Sequence, residues 1–104
     1  MHNRYCLALI ASMACSLHLL AFADPDLAHA KNCMSCHNLD RKVVGPAFKD
    51  VAQKYKADKD ATSRLAAKII KGGGGVWGVG VMPANPQVSD AEAHKLAAWV
   101  LSQK

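Results

Sequence analysis

What the sequence has little of narrows the field first. Aromatic residues fill only 6% of its 104 positions. They are not interleaved with basic residues, and no known module is recognisable, which argues against nucleic-acid binding. From Asp24 to Lys104 there is no internal repeat, linker or low-complexity tail, so this stretch reads as one domain. Convincing strand alternation is also missing. Val76-Trp77-Gly78-Val79-Gly80-Val81 alternates weakly, but its glycines argue for a loop pressed on a flat surface. Cysteine is scarce beyond the N-terminal segment: only Cys33 and Cys36 remain after Cys6 and Cys15. A domain of 81 residues has little apolar core and usually needs a staple, a metal or a cofactor.

The N-terminal segment is of another kind. Arg4 gives a positive start, Tyr5 to Phe22 is almost wholly apolar, and Ala21-Phe22-Ala23 supplies the small-x-small pattern of a cleavage site. The expectation is a Sec signal peptide over residues 1–23, cut after Ala23, with a mature domain over 24–104. An uncleaved membrane anchor is the rival, although the apolar run is near the lower limit for spanning. A lipoprotein cut before Cys15 would leave Leu17-His18-Leu19-Leu20 exposed. Cleavage lowers the formal net charge from +5 to +4, because Arg4 is the only formal charge before Asp24. The mild positive balance suits acidic protein partners, with an ordinary solvated surface as the alternative.

What is present is more specific. Cys33-Met34-Ser35-Cys36-His37 is Cys-x-x-Cys-His, the attachment signature of c-type haem. Two thiols with a two-residue gap reach two vinyl groups on one porphyrin edge. His37, directly after, falls under the iron as proximal ligand. Cys-x-x-Cys alone also serves zinc sites and thiol–disulfide catalysts; the adjacent His makes the difference.

The rest of the domain reads as helical. Asp24-Pro25 starts a helix carrying Leu27 and Ala30. Asn38 to Gly45 is an irregular loop. Pro46 opens a second helix, with Phe48, Val51, Ala52 and Tyr55 on one face. Asp60 caps a third, with Leu65, Ala66 and Ile69 as its apolar stripe and Gly72 as its stop. Ser89-Asp90-Ala91-Glu92 fits a capping box for the last helix, whose buried face is Leu96, Trp99 and Val100.

Class I haem domains take a second axial ligand from the C-terminal half. Met82 is the candidate, after a Gly-rich loop and before Pro83, whose ring keeps the preceding backbone out of the helical region. Its thioether would favour ferrous iron and raise the potential. A core filler is the alternative. Met34 sits inside the attachment loop, and His29 and His94 lie in polar helix positions.

Together, Cys33-Met34-Ser35-Cys36-His37, Val44-Gly45-Pro46-Ala47, Gly75-Val76-Trp77-Gly78, Met82-Pro83 and Trp99-Val100-Leu101-Ser102-Gln103-Lys104 resemble the small bacterial class I cytochromes c of the c-551/c-552 type. The resemblance covers essentially all of Asp24 to Lys104. It implies an all-α, four-helix class I fold wrapped around one covalent haem c, with His37 and Met82 as the iron ligands. It implies a periplasmic, monomeric carrier of single electrons, not an enzyme. Its partners would be a nitrite reductase or terminal oxidase and an upstream donor such as a bc1-type complex. By matching position, the Pro46 carbonyl would accept from the outer nitrogen of His37. Trp77 would donate to a haem propionate, and Lys68 would meet one. Asn85 would place its amide near the Met82 sulfur. Each has a plain alternative: a turn for Gly45-Pro46, a core aromatic for Trp77, an exposed helix lysine for Lys68, a turn residue for Asn85.

Outer-sphere transfer would leave through an exposed haem edge ringed by Lys31, Lys42 and Lys71. A haem enzyme or gas sensor with an open iron position is the competing class, and a haem-free thiol oxidoreductase the third.

Overall fold

The computed structural model describes residues 24–104, so the expected signal peptide, with Cys6 and Cys15, lies outside the described residues. Helix α1 runs Asp24–Ala30, α2 Phe48–Tyr55, α3 Ala61–Lys71 and α4 Asp90–Leu101. A single 3-10 turn, Cys33–Ser35, carries the attachment motif. Among the described residues no helix is long and apolar enough to cross a membrane.

Helix α4 is the hub against which α1, α2 and α3 all pack. Its inward residues Ala93, Leu96, Ala97 and Val100 are buried, and Leu96 is only 1% exposed. The alanines bring backbones close. Ala28 of α1, Ala66 of α3 and Ala93 and Ala97 of α4 are fully buried in one cluster with Leu27 and Val88. A second cluster joins Phe48 and Val51 of α2 to Val100. Along α1 the inward pair is Leu27 and Ala28, while Ala30 faces solvent where the chain turns away through Asn32 in the left-handed region (φ 65°).

The capping box of α4 is complete: Ser89 Oγ accepts from the Glu92 backbone at 3.1 Å, and Glu92 Oε1 accepts from the Ser89 backbone at 3.0 Å. Two other helix starts differ from expectation. Helix α2 begins at Phe48, two residues past Pro46, because Ala47 is extended (φ −60°, ψ 140°) and the Pro46 carbonyl is engaged by His37. At α3 the Asp60 side chain makes no cap; Asp58 instead accepts from the Asp60 backbone at 2.9 Å and from Arg64 Nε at 3.0 Å.

The structure also contains strand pairing that the glycines concealed. Strands β1 (Gly73–Gly74) and β2 (Val81–Met82) pair antiparallel, Gly73 opposite Met82 and Gly74 opposite Val81. The pairing closes the intervening loop and fixes Met82 just beyond the end of α3. Gly72 makes this approach possible. Its φ is 73°, which favours glycine, and a Cβ there would lie 2.5 Å from the Met82 carbonyl oxygen.

Candidate haem site

The attachment motif forms one wall. Cys33 and Cys36 are both half-buried. Burial pushes the Cys33 thiol up, partly opposed by a backbone hydrogen bond. Met34 between them packs against the core clusters, so it is committed to the interior. His37 follows, half-buried, with Nδ1 2.7 Å from the Pro46 carbonyl oxygen. A carbonyl only accepts, so Nδ1 is the donor and, in the neutral ring, the lone pair is on Nε2.

Two contacts aim this ring, and a third braces them. The Phe48 ring stacks on it at 4.8 Å between centroids and 22° between planes. Trp99 meets Phe48 edge-on at 5.5 Å and 77°, tying the stack to α4. Gly45 lies so close that a Cβ would sit 2.5 Å from Cε1, 2.9 Å from Nδ1 and 3.0 Å from Nε2. The Gly45 N–H also donates to the Cys36 carbonyl at 2.7 Å. In the sequence Gly45 looks like a turn residue and Phe48 like core. A glycine just before the proline that orients a ligand was the available signal for close approach; the Phe48 stack left none.

The wall bearing His37 faces a cleft of about 640 Å³, within the range of cofactor pockets. Cys36, Lys68, Trp77 and Met82 line it as well. A smaller space of about 80 Å³ continues into the core beside Cys33, Phe48 and Leu96, and His37, Met82, Leu65 and Lys68 line both. Six of the seven predicted side chains at the site thus converge: Cys33, Cys36, His37, Lys68, Trp77 and Met82 all line these spaces, and Pro46 enters through its carbonyl.

Asn85 is placed differently. Its Nδ2 donates to the Ile69 carbonyl at 2.8 Å and the Pro83 carbonyl at 3.3 Å, and it lines neither space. Both amide hydrogens are spent on backbone. Asn85 therefore fastens the loop after Met82 to the end of α3. Trp77 is 40% exposed, and Lys54 Nζ lies 5.4 Å from its ring centroid. Lys31, expected at the exit edge, is occupied: it pairs with Glu92 at 3.2 Å and donates to the Gln87 carbonyl at 3.0 Å. Lys42 lines the cleft and Lys71 is exposed.

These residues fit a c-type haem. Val44, Val76, Val79 and Val81 are exposed, yet they gather along the same cleft as the thiols, as the walls of a large flat apolar cofactor would. Among the described residues no group of three or more His, Cys, Asp or Glu could hold a bare metal ion, so a zinc reading of Cys33 and Cys36 lacks partners there.

Comparison with known proteins agrees. The family model for cytochrome c matches residues 25–104. Cytochrome c-552 of Hydrogenobacter thermophilus is 57% identical over 86 residues, spanning 82% of this chain and 86% of that protein. Cytochrome c-551 of Pseudomonas aeruginosa is 52% identical over 82 residues, 78% of each. The crystal structure of Nitrosomonas europaea cytochrome c552 superposes with a TM-score of 0.76 at 52% identity, covering 77% of this chain and 99% of that one. The chain therefore belongs to the cytochrome c family: it has the class I fold and a covalently attached c-type haem whose attachment motif Cys33 and Cys36 fit, and it is a small electron carrier, not an enzyme.

Proposed function

We propose that this cytochrome carries single electrons in the periplasm with its iron held between His37 Nε2 and Met82 Sδ, and with thioether bonds at Cys33 and Cys36. One observation carries the reading. The His37 Nδ1–H is fixed on the Pro46 carbonyl at 2.7 Å, which leaves Nε2 for a cleft that Met82 also lines. The hydrogen bond strengthens the imidazole as a donor and fixes its plane. When bound, the haem supplies a one-electron couple, and a thioether ligand raises its potential. The protein's part is to hold two ligands, exclude water and bury the ring. Trp77 and Lys68 line the cleft where the propionates would meet them. Residues 1–23 serve as a cleaved export signal in this reading.

The partners are a nitrite reductase or terminal oxidase and an upstream donor such as a bc1-type complex. Lys42 and Lys71 favour an acidic docking face. Charge reversal at both should slow reaction with such a partner and weaken its salt dependence; unchanged rates would remove the lysines from the docking face. The ligand set is tested by exposing the ferrous protein to carbon monoxide. Both axial positions filled means slow or no uptake. Rapid uptake would overturn His–Met ligation in favour of an open iron site.

A further inference from the structure

Behind the site, a continuous set of polar contacts joins segments that are far apart in sequence. The Gln87 side-chain Nε2 donates to the Lys31 carbonyl at 3.3 Å, and Lys31 Nζ donates to the Gln87 carbonyl at 3.0 Å. This two-way clasp holds the chain two residues before Cys33 against the start of α4. Lys31 is secured in turn by Glu92, whose other oxygen closes the capping box. From Gln87 the contacts run the other way. Nε2 also donates to Asn85 Oδ1 at 3.1 Å, and Asn85 Nδ2 donates to the Pro83 and Ile69 carbonyls. The Asn85 backbone N–H adds a bond to the Ile70 carbonyl at 3.1 Å. Pro83 directly follows Met82.

Gln87 is the only side chain in this set that touches both ends: the attachment segment through Lys31 and the ligand loop through Asn85. Both segments must hold their distance for a thioether to stay on an iron anchored from the opposite side. The loop has little else to hold it from outside the cleft, because Pro83 and Ala84 are exposed and the strand pairing is two residues long.

We infer that Gln87 is a positioning residue that locks the segment before Cys33 to the loop after Met82 and so steadies the iron–sulfur bond. The inference rests on Met82 being the ligand. Gln87 is exposed, so Gln87→Met keeps the side-chain length and removes the donors with little effect on the core.

The test is imidazole titration of the haem-loaded ferric protein, since imidazole must displace the thioether to bind. The far-red sulfur-to-iron absorption band reports the displacement. Gln87→Met should bind imidazole roughly threefold to tenfold more tightly, the equilibrium worth of about one ordinary protein hydrogen bond. Asn85→Ala should shift binding in the same direction. Adding Gln87→Met to Asn85→Ala should then change little, because the two act in series. Unaltered imidazole affinity in Gln87→Met overturns the inference, and so does an undiminished Gln87→Met effect in the Asn85→Ala background. A wild-type ferric protein without the far-red band overturns the Met82 reading itself, and the inference falls with it.

Discussion

Substituting Gly45 by Ala isolates one steric contact at the proximal side of the site. The backbone does not require glycine there, since Gly45 is absent from the residues with positive φ. On backbone grounds alone, Ala would stabilise the fold by about 0.4–1 kcal/mol through a less disordered unfolded chain. The contact opposes this. A Cβ would sit 2.5 Å from His37 Cε1, and something must shift. The ring cannot slide freely, because it stacks on Phe48 and its Nδ1 is bonded to Pro46. Overpacking of this kind costs about 1–3 kcal/mol, which exceeds the entropic gain over most of its range. Taking the middle of each range, the expected net loss is about 1.3 kcal/mol, which lowers Tm by about 5–10 °C in a domain this size. Thermal unfolding of the haem-loaded protein, followed by near-UV circular dichroism, gives the number. A variant as stable as wild type, or more so, would show that the ring has room and that closeness to His37 is not the reason for glycine.

Three further outcomes follow from the same geometry. Phe48 is 5% exposed and supports the His37 ring, so Phe48→Ala should cost about 3–5 kcal/mol, read by denaturant titration. Lys54→Met removes the cation over Trp77 and should cost about 0.5–1 kcal/mol, with wild-type behaviour if that contact is idle. The Glu92 carboxyl is held low, first by the Ser89 backbone N–H and then by Lys31. Its folded pKa lies below the unfolded one, so its stabilisation is present above the ordinary carboxylate range and is lost as pH falls through the lowered value. Tm against pH should therefore fall less steeply in Glu92→Gln on the acid side; equal acid slopes would count against the box.

Local signals were the legible ones. Helical spacing placed Phe48, Val51, Leu65, Ala66, Leu96 and Val100 correctly on inward faces, and Ser89 with Glu92 marked the start of α4. The motif residues were legible because their spacing reflects one porphyrin edge. What failed depended on contacts across the fold. Pro46 looks like a first helical residue until its carbonyl is seen to serve His37. Asp60 occupies the capping position, yet Asp58 does the bonding because Arg64 draws its carboxylate into place. The pairing of Gly73–Gly74 with Val81–Met82 hides behind glycines, which carry no side-chain alternation to read. Position alone puts Asn85 near the ligand loop, and only the fold shows that the carbonyls of Ile69 and Pro83 engage its amide.

The central claim is that His37 and Met82 fill both axial positions of the iron. The most direct measurement is the far-red absorption of the ferric haem-loaded protein, wild type beside Met82→Ala. The band should be present in wild type and absent from the variant, with a lower midpoint potential. A wild-type spectrum without the band, or a band that survives in Met82→Ala, would contradict the account.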